Sequence, residues 1–122
     1  MNWLFKISQE GLDRINYQGP YGVETIGEWL ERHKVQRTPD GRFVFYHGTP
    51  VVGGATDELR EGSLLGFSEE ESRHFAARDR DLGPEDVVVH TLYLRPDEIA
   101  GGHWASLRVP VDIREGSPAK VL

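Results

Sequence analysis

The chain of 122 residues contains no cysteine. A disulfide framework, a thiolate nucleophile, a cysteine-ligated zinc ion and an iron–sulfur cluster are therefore all excluded. No apolar run approaches the roughly 18 residues that a membrane-spanning helix needs, so we expect no transmembrane segment. Residues 1–8 contain one lysine and no long apolar stretch followed by a cleavage site. The sequence therefore predicts no secretory signal and a cytoplasmic setting.

Positive charge is also scarce, since 14 lysine and arginine residues stand against 20 acidic residues, for a formal net charge of −6. The basic residues form no run or stripe, which disfavours nucleic-acid binding through phosphates over a broad face. A small anionic ligand is still compatible with this balance, because one arginine and a few backbone N–H groups suffice to bind it.

Several sequence signatures of catalysis are missing as well. The chain has no HExxH zinc motif, no Gly-rich phosphate-binding motif of the P-loop or dinucleotide type, and no GxSxG nucleophile elbow. Metal catalysis is therefore unsupported, and we expect no metal site.

Apolar and aromatic residues are plentiful by contrast. Hydrophobic residues make up 38% of the chain, which includes three Trp, four Tyr and five Phe. A chain of this size and composition buries a core without covalent cross-links. The sequence predicts one domain over residues 1–122, with residues 1–40 packing on it as a helical or arm-like region.

Two segments are typical of helices. Residues 25–33 place apolar side chains at i, i+3 and i+4, which is the spacing of one helix face. Residues 69–80 follow Ser68, a favourable N-cap, and Glu71 three positions later predicts a capping box.

Runs of β-branched and aromatic residues predict several strands. Residues 87–94 give the strongest strand signal, and Pro110 predicts that a strand over residues 104–113 is broken or lies at a sheet edge. A loop with a helical turn is expected around residues 57–60. Further strands are predicted at residues 2–9 (alternatively a docking arm), 43–48, 64–68 and 119–122. Together these segments predict an α+β fold class.

The most informative stretch for function is FYHGT at residues 45–49, where an apolar strand ends in His47, Gly48 and Thr49. A glycine lets a ligand approach the backbone closely, because no Cβ stands in the way. The imidazole and the hydroxyl add directed hydrogen bonds on a rigid support. This combination suits a flat amide or a ribose hydroxyl. The alternative interpretation is a strand that simply ends in a turn.

A second stretch, residues 62–79, combines a short strand with the capped helix. Ser68 is explained as an N-cap without any function. Phe75 is expected in the core, and His74 beside it is expected at the surface, at the core edge or in a pocket.

The order of these segments resembles the ADP-ribosyltransferase superfamily. In that family one strand ends in His-Gly-Ser/Thr, a second strand leads into a helix through an aromatic residue and Ser or Ala, and a glutamate comes late in the chain. The resemblance covers roughly residues 42–94 and implies an α+β fold with a split β-sheet and a few flanking helices.

The resemblance also implies roles for individual residues. His47 would hydrogen-bond the adenosine ribose of NAD, Gly48 would bind the nicotinamide amide through its backbone, and Thr49 would support that loop. Three further residues would line the NAD pocket: Phe67, Ser68 and His74. The late glutamate would be Glu115, a catalytic carboxylate, with Asp112 and Glu98 as alternatives.

Aromatic residues would complete such a pocket. The family's stacking Tyr, or the His of the related RNA 2′-phosphotransferases, falls at Gly66 in this sequence. The site then has no stacking ring, unless Phe67 or Tyr93 supplies one. Three aromatic residues of the N-terminal region are candidates for lining the substrate site or completing the core: Tyr17, Tyr21 and Trp29.

The function implied by the resemblance is that of an NAD-dependent ADP-ribosyltransferase or NAD glycohydrolase, of the kind found in toxins or phage effectors. NAD would be the substrate, a protein or small molecule the acceptor, and the nicotinamide–ribose bond would break through an oxocarbenium-like state. One alternative is a module of the same fold that binds without turnover. Another is an RNA 2′-phosphotransferase, which the acidic balance disfavours.

Overall fold

The structure is a computed structural model that describes residues 11–51, 58–102 and 104–112, together with the backbone of residues 120 and 121. Within these ranges the chain forms two α-helices and several small antiparallel sheets, the α+β class that the sequence predicts. No helix of the described part is long and apolar enough to cross a membrane. The segment predicted at residues 2–9 and the candidate Glu115 lie outside the described residues.

A hairpin leads into the first helix. Strands β1 (Ile15–Gly19) and β2 (Gly22–Thr25) pair antiparallel across a two-residue turn formed by Pro20 and Tyr21. Helix α1 (Ile26–Arg32) begins directly after β2. The Thr25 hydroxyl accepts the backbone N–H of Glu28, and the Glu28 carboxylate accepts the N–H of Thr25, so this helix starts with a complete capping box.

The inner face of α1 lies in the hydrophobic core. Ile26, Trp29 and Leu30 are each at most 2% exposed, which confirms the helix face that the spacing predicts. Because the Trp29 ring is completely buried, it belongs to the core and lines no substrate site. The core side chains packed with this face come from the central strands and the second half of the chain: Phe43, Phe45, Leu59, Leu65, Leu92, Leu94, Ile99, Ala105, Leu107 and Val111.

The central element is a two-stranded antiparallel pair. Strand β3 (Phe43–Pro50) pairs along its whole length with β6 (Val87–Leu94), so the strongest strand prediction is confirmed. One face of this pair carries the core residues Phe45 and Leu92. Helix α2 (Glu69–Asp79) packs on the other face.

The start of α2 differs in one detail from the prediction. Ser68 does cap the helix, because its hydroxyl accepts the N–H of Glu71 at 3.0 Å. The Glu71 carboxylate instead accepts the N–H of Phe67, at 3.4 Å. The predicted capping box is therefore wrong, since the carboxylate reaches one residue further back than a capping box requires.

Six short strands complete the sheets: β4 (Glu58–Leu59), β5 (Leu64–Leu65), β7 (Ile99–Ala100), β8 (Ala105–Leu107), β9 (Val111–Asp112) and β10 (Lys120–Val121). They pair in the orders β5-β8-β7 and β10-β9-β4. The predicted helical turn around residues 57–60 is wrong where the structure describes it, because β4 pairs with β9 and buries Leu59 in the core. The predicted strand over residues 104–113 is broken before Val111, in agreement with the Pro110 signal.

Replacement of Trp29 by alanine should lower the free energy of unfolding by about 3–5 kcal/mol, because it leaves a large cavity among fully buried side chains. The matched control is Tyr21→Ala, since Tyr21 is 97% exposed. This control should change the unfolding free energy by less than about 0.5 kcal/mol. Urea denaturation of the two variants tests the pair, and similar losses in both would contradict the core position of Trp29.

Candidate functional site

The site is built where β3 and β5 part from each other. The N–H of Tyr46 donates to the carbonyl of Gly66 at 3.1 Å, and the N–H of Gly66 donates to the carbonyl of Tyr46 at 2.7 Å. In a continuous antiparallel ladder the next such pair would be Gly48 and Leu64, two residues along on each strand. No bridge forms between these two described residues, so the sheet opens beyond Tyr46.

The opening exposes one peptide edge of Gly48. Successive residues of a strand direct their N–H and C=O groups to opposite sides. Because Tyr46 bonds toward β5, His47 and Thr49 direct theirs toward β6, and Gly48 directs both of its groups into the opening. Within the described ranges no backbone group meets the Gly48 N–H or C=O on that side. The N–H donor and the C=O acceptor of Gly48 therefore both point into the opening, where a ligand can bond to them.

The imidazole of His47 lies across the same opening. Its Nδ1 is 2.6 Å from the carbonyl oxygen of Leu64. A carbonyl only accepts, so Nδ1 carries the proton and Nε2 is the acceptor when the ring is neutral. Burial lowers the pKa of His47, the Leu64 carbonyl raises it, and the nearby Arg80 charge lowers it again. The net pKa lies below the ordinary value, which favours the neutral ring at neutral pH.

A cleft of about 490 Å³ lies beside this edge. One side is formed by the ends of β3 and β5, and the other by the second half of α2. The glycines let the two sides approach closely: a Cβ on Gly48 would lie 2.7 Å from the Ala76 Cβ and 2.8 Å from the Ser72 carbonyl oxygen. A Cβ on Gly66 would meet the Ser72 hydroxyl, which donates to the Tyr46 carbonyl at 3.0 Å. No ring fits at Gly66, because α2 occupies that space.

Two aromatic rings line the cleft, Phe75 and Trp104. Their centroids are 6.0 Å apart and their planes meet at 88°, an edge-to-face contact. Trp104 is 58% exposed, so it is accessible to a ligand. The sequence assigned Phe75 to the core and left Phe67 or Tyr93 as the candidates for a ring near Gly66. Phe75 instead lines the cleft, and neither Phe67 nor Tyr93 does.

The cleft carries more positive than negative charge. Arg78 lies over the Phe75 ring, 5.1 Å from its centroid, and forms a 3.7 Å ion pair with Asp79. Arg80 also lines the cleft and forms no ion pair with any carboxylate of the described residues. A guanidinium of this kind binds phosphate oxygens readily. The charged side chains of the cleft thus sum to a positive charge, whereas the chain as a whole has a net charge of −6.

Thr49 and His90 form a buried polar pair behind the opening. The Thr49 hydroxyl lies 3.0 Å from Nε2 of His90, and the two residues are 5% and 8% exposed. His90 faces His47 across the β3–β6 pair. Burial lowers the pKa of His90, and the charge of His47 lowers it further. The supporting role of Thr49 that the resemblance implies stays a prediction. His90 was missed because nothing in VVVHTLYL distinguishes it from any other strand residue.

Three of the residues expected at the pocket lie elsewhere: Phe67, Ser68 and His74. The Phe67 ring stacks on His33, with 4.5 Å between centroids and an 8° angle, and packs against the core through Trp29 and Phe45. Ser68 is used as the helix cap and is exposed, and His74 is exposed on a separate surface depression that Ser68 also lines. Ser68 precedes the first turn of α2, and His74 faces a different depression from its neighbours Ser72 and Phe75, which line the cleft.

The candidate acids are also separated from the cleft where the structure describes them. The Glu98 carboxylate is buried, accepts the N–H of Arg95 at 2.6 Å and lies 3.6 Å from the guanidinium of the same residue. Asp112 lies on β9, between β4 and β10. Neither lines the cleft, and Asp79 is the one carboxylate of the described residues that does. The first choice, Glu115, stays a prediction.

No protein-family model, curated protein or solved structure matches this chain. The described ranges also contain no group of three or more acidic and histidine side chains that could hold a metal ion. What these ranges do bring together is the unpaired peptide edge of Gly48, a neutral imidazole, two aromatic rings and two arginines. This set can bind a ligand that contains an amide, a flat ring, hydroxyl groups and an anionic group.

Acidification from pH 7.5 to pH 5 should lower the free energy of unfolding through His47 and His90. Burial lowers both folded pKa values below the ordinary 6.5, so the unfolded chain binds more protons in this range. The stabilising contribution is complete above the unfolded pKa and is lost as the pH falls toward the folded values. The carboxylates of Glu24 and Asp40 also have lowered pKa values, but their contribution to the free energy of unfolding is lost mainly below pH 5. Urea denaturation at several pH values measures the slope.

The variant His90→Gln should make this pH dependence shallower, because one of the two buried imidazoles is removed. His74→Gln is the control, since His74 is exposed and should leave the slope unchanged. An equal slope in the wild type and in His90→Gln would show that His90 does not titrate as described.

Proposed function

We propose that the cleft binds NAD and that the chain breaks the nicotinamide–ribose bond, as an ADP-ribosyltransferase or NAD glycohydrolase. The open peptide edge of Gly48, next to the imidazole of His47, is the observation that carries this proposal. The parting of β3 and β5 at this edge also supports a split sheet of the kind that the sequence resemblance implies. The acceptor would be a protein or a small molecule.

The carboxamide of nicotinamide is complementary to the Gly48 edge. A primary amide has one carbonyl acceptor and two N–H donors. It can therefore accept from the Gly48 N–H and donate to the Gly48 C=O, as a neighbouring strand would. A side chain at position 48 would collide with α2, so glycine also allows the helix wall to stand close to the bound ring.

The other groups of the cleft fit the rest of the dinucleotide. Nε2 of His47 would accept a hydrogen bond from a ribose hydroxyl, because Nδ1 is already engaged with Leu64. The exposed faces of Phe75 and Trp104 would contact the flat rings, which stack well on aromatic side chains. Arg80 would attract the diphosphate, since it forms no ion pair with any carboxylate of the described residues.

The reaction needs a group that stabilises positive charge on the ribose. When the C1′–N bond breaks, nicotinamide keeps the bonding electron pair and leaves as a neutral molecule, while C1′ becomes cationic. A nucleophilic oxygen or nitrogen of the acceptor, or water, then attacks C1′ and releases a proton. A carboxylate that hydrogen-bonds the ribose hydroxyl stabilises the cation. We propose Glu115 for this role on the strength of the resemblance.

Incubation of the protein with NAD should release nicotinamide, measured by chromatography. Glu115→Gln should lower the rate about 100-fold or more while NAD still binds, because a carboxylate that acts on the transition state affects turnover rather than affinity. Asp79→Asn is the matched control, since Asp79 is the carboxylate seen at the cleft.

Each outcome of this experiment decides between functions. A loss of rate in Asp79→Asn alone would move the catalytic role to Asp79. NAD binding without nicotinamide release would favour the binding module. Absence of binding together with activity on a 2′-phosphorylated oligonucleotide would favour the RNA 2′-phosphotransferase.

NAD should quench the fluorescence of Trp104, because stacking brings a flat ring onto an exposed indole. Trp104→Ala should remove most of this quenching and weaken NAD binding about tenfold, within the range of about 1–3 kcal/mol for a stacked base. Tyr93→Ala is the control, because Tyr93 is 37% exposed but lies outside the cleft. Equal effects of the two variants would contradict the assignment of Trp104 to the site.

A further inference from the structure

The backbone groups that would close the opening between β3 and β5 are all present. Gly48 has an N–H and a C=O, and so does Leu64, and the strand alternation turns all four groups toward the space between the strands. The preceding pair, Tyr46 and Gly66, closes with two hydrogen bonds of ordinary length. Unpaired backbone groups are costly unless water or another group satisfies them. The ladder would therefore be expected to close by one more pair.

The imidazole of His47 explains why it does not. The N–H of Gly48 would donate to the carbonyl of Leu64 in a continued ladder, and that carbonyl accepts from Nδ1 of His47 at 2.6 Å instead. The ring therefore engages the carbonyl that the missing pair would use. Its hydrogen bond satisfies the Leu64 carbonyl and leaves the Gly48 N–H for another partner.

We propose that His47 is a positioning residue that holds the β3–β5 opening apart by taking the Leu64 carbonyl. This role is separate from any contact of His47 with a ribose, because it uses Nδ1 whereas the ribose contact uses Nε2. The inference concerns the cleft on which the proposed function rests, but it is a property of the protein without ligand.

The two nitrogen atoms respond differently to protonation. Nδ1 carries a proton both in the neutral tautomer that the Leu64 carbonyl selects and in the imidazolium, so it donates to Leu64 in either state. The titratable and charged groups that act on the ring are His90, opposite it on β6, and Arg80, directly after α2. Neither competes for the Leu64 carbonyl. Acid should therefore remove the acceptor at Nε2 and leave the opening in place.

Hydrogen exchange of the Gly48 amide, followed by NMR in the protein without ligand, tests the proposal. In His47→Leu the opening should close, so Gly48 donates to Leu64 and its exchange slows about tenfold or more. In His47→Asn the side-chain amide nitrogen replaces Nδ1, so the exchange rate should stay within about threefold of the wild type. His74→Leu, at an exposed site away from the cleft, is the control for replacing a histidine by leucine.

Two results would overturn the proposal: an unchanged Gly48 exchange rate in His47→Leu, or the same slowing in His47→Asn as in His47→Leu. If His47→Leu does not fold, His47→Gln decides in its place. The glutamine amide stands near the position of Nε2 and misses the Leu64 carbonyl, so Gly48 exchange should slow in His47→Gln and not in His47→Asn.

Binding of nicotinamide, which has no ribose, tests whether the opening held by His47 matters for the proposed ligand. Its affinity should fall about tenfold in His47→Leu and be retained within about threefold in His47→Asn, because only the Gly48 edge is needed. Failure of the wild type to bind nicotinamide would count against the proposed function. The exchange rates would still decide whether His47 holds the strands apart.

Discussion

The close contact between α2 and the β3–β5 edge determines most of the site. Gly48 and Gly66 have no side chain to hold the helix away, so Ser72 and Ala76 come to rest directly on the strands. The hydroxyl of Ser72 then bonds to Tyr46, the last residue before the strands part. This contact places the second half of α2, which carries Phe75 and is followed by Arg80, along one wall of the cleft. A larger residue at either glycine would displace the helix and the wall together.

The sequence predicts the elements better than it predicts their partners. Cap residues and periodicity located both helices, because Thr25 and Ser68 satisfy backbone donors that any helix start leaves unpaired. The strand at residues 87–94 was evident from its β-branched residues. The same signals could not decide between Phe67 and Phe75. Both are apolar residues near one helix, and their different positions appear only in the structure. Phe67 contacts the rings of His33 and Trp29 at the core, whereas Phe75 lines the cleft.

The resemblance concerns a strand end, whereas periodicity concerns a helix face. His47, Gly48 and Thr49 occur together at the opening, and the bond between Thr49 and His90 holds the last of them from behind. Ser68 and His74 follow from the same resemblance but line a separate surface depression, Ser68 as the cap of α2 and His74 from the middle of the helix. Their positions depend on which face and which turn of the helix lie over the strands, and a sequence motif carries no information on either.

The imidazole and the arginine side chains of the cleft differ in protonation state. Burial keeps His47 and His90 neutral, and it does so beside Arg80, whose charge further disfavours protonation of His47. The positive charge of the site therefore resides on arginine, which stays protonated at any physiological pH, while the imidazole stays an acceptor. This division suits the proposed dinucleotide, because its diphosphate would lie near a permanent cation and its ribose hydroxyl near a lone pair. The imidazole could serve both proposed roles, because its Nδ1 is engaged by the Leu64 carbonyl and its Nε2 is the remaining acceptor.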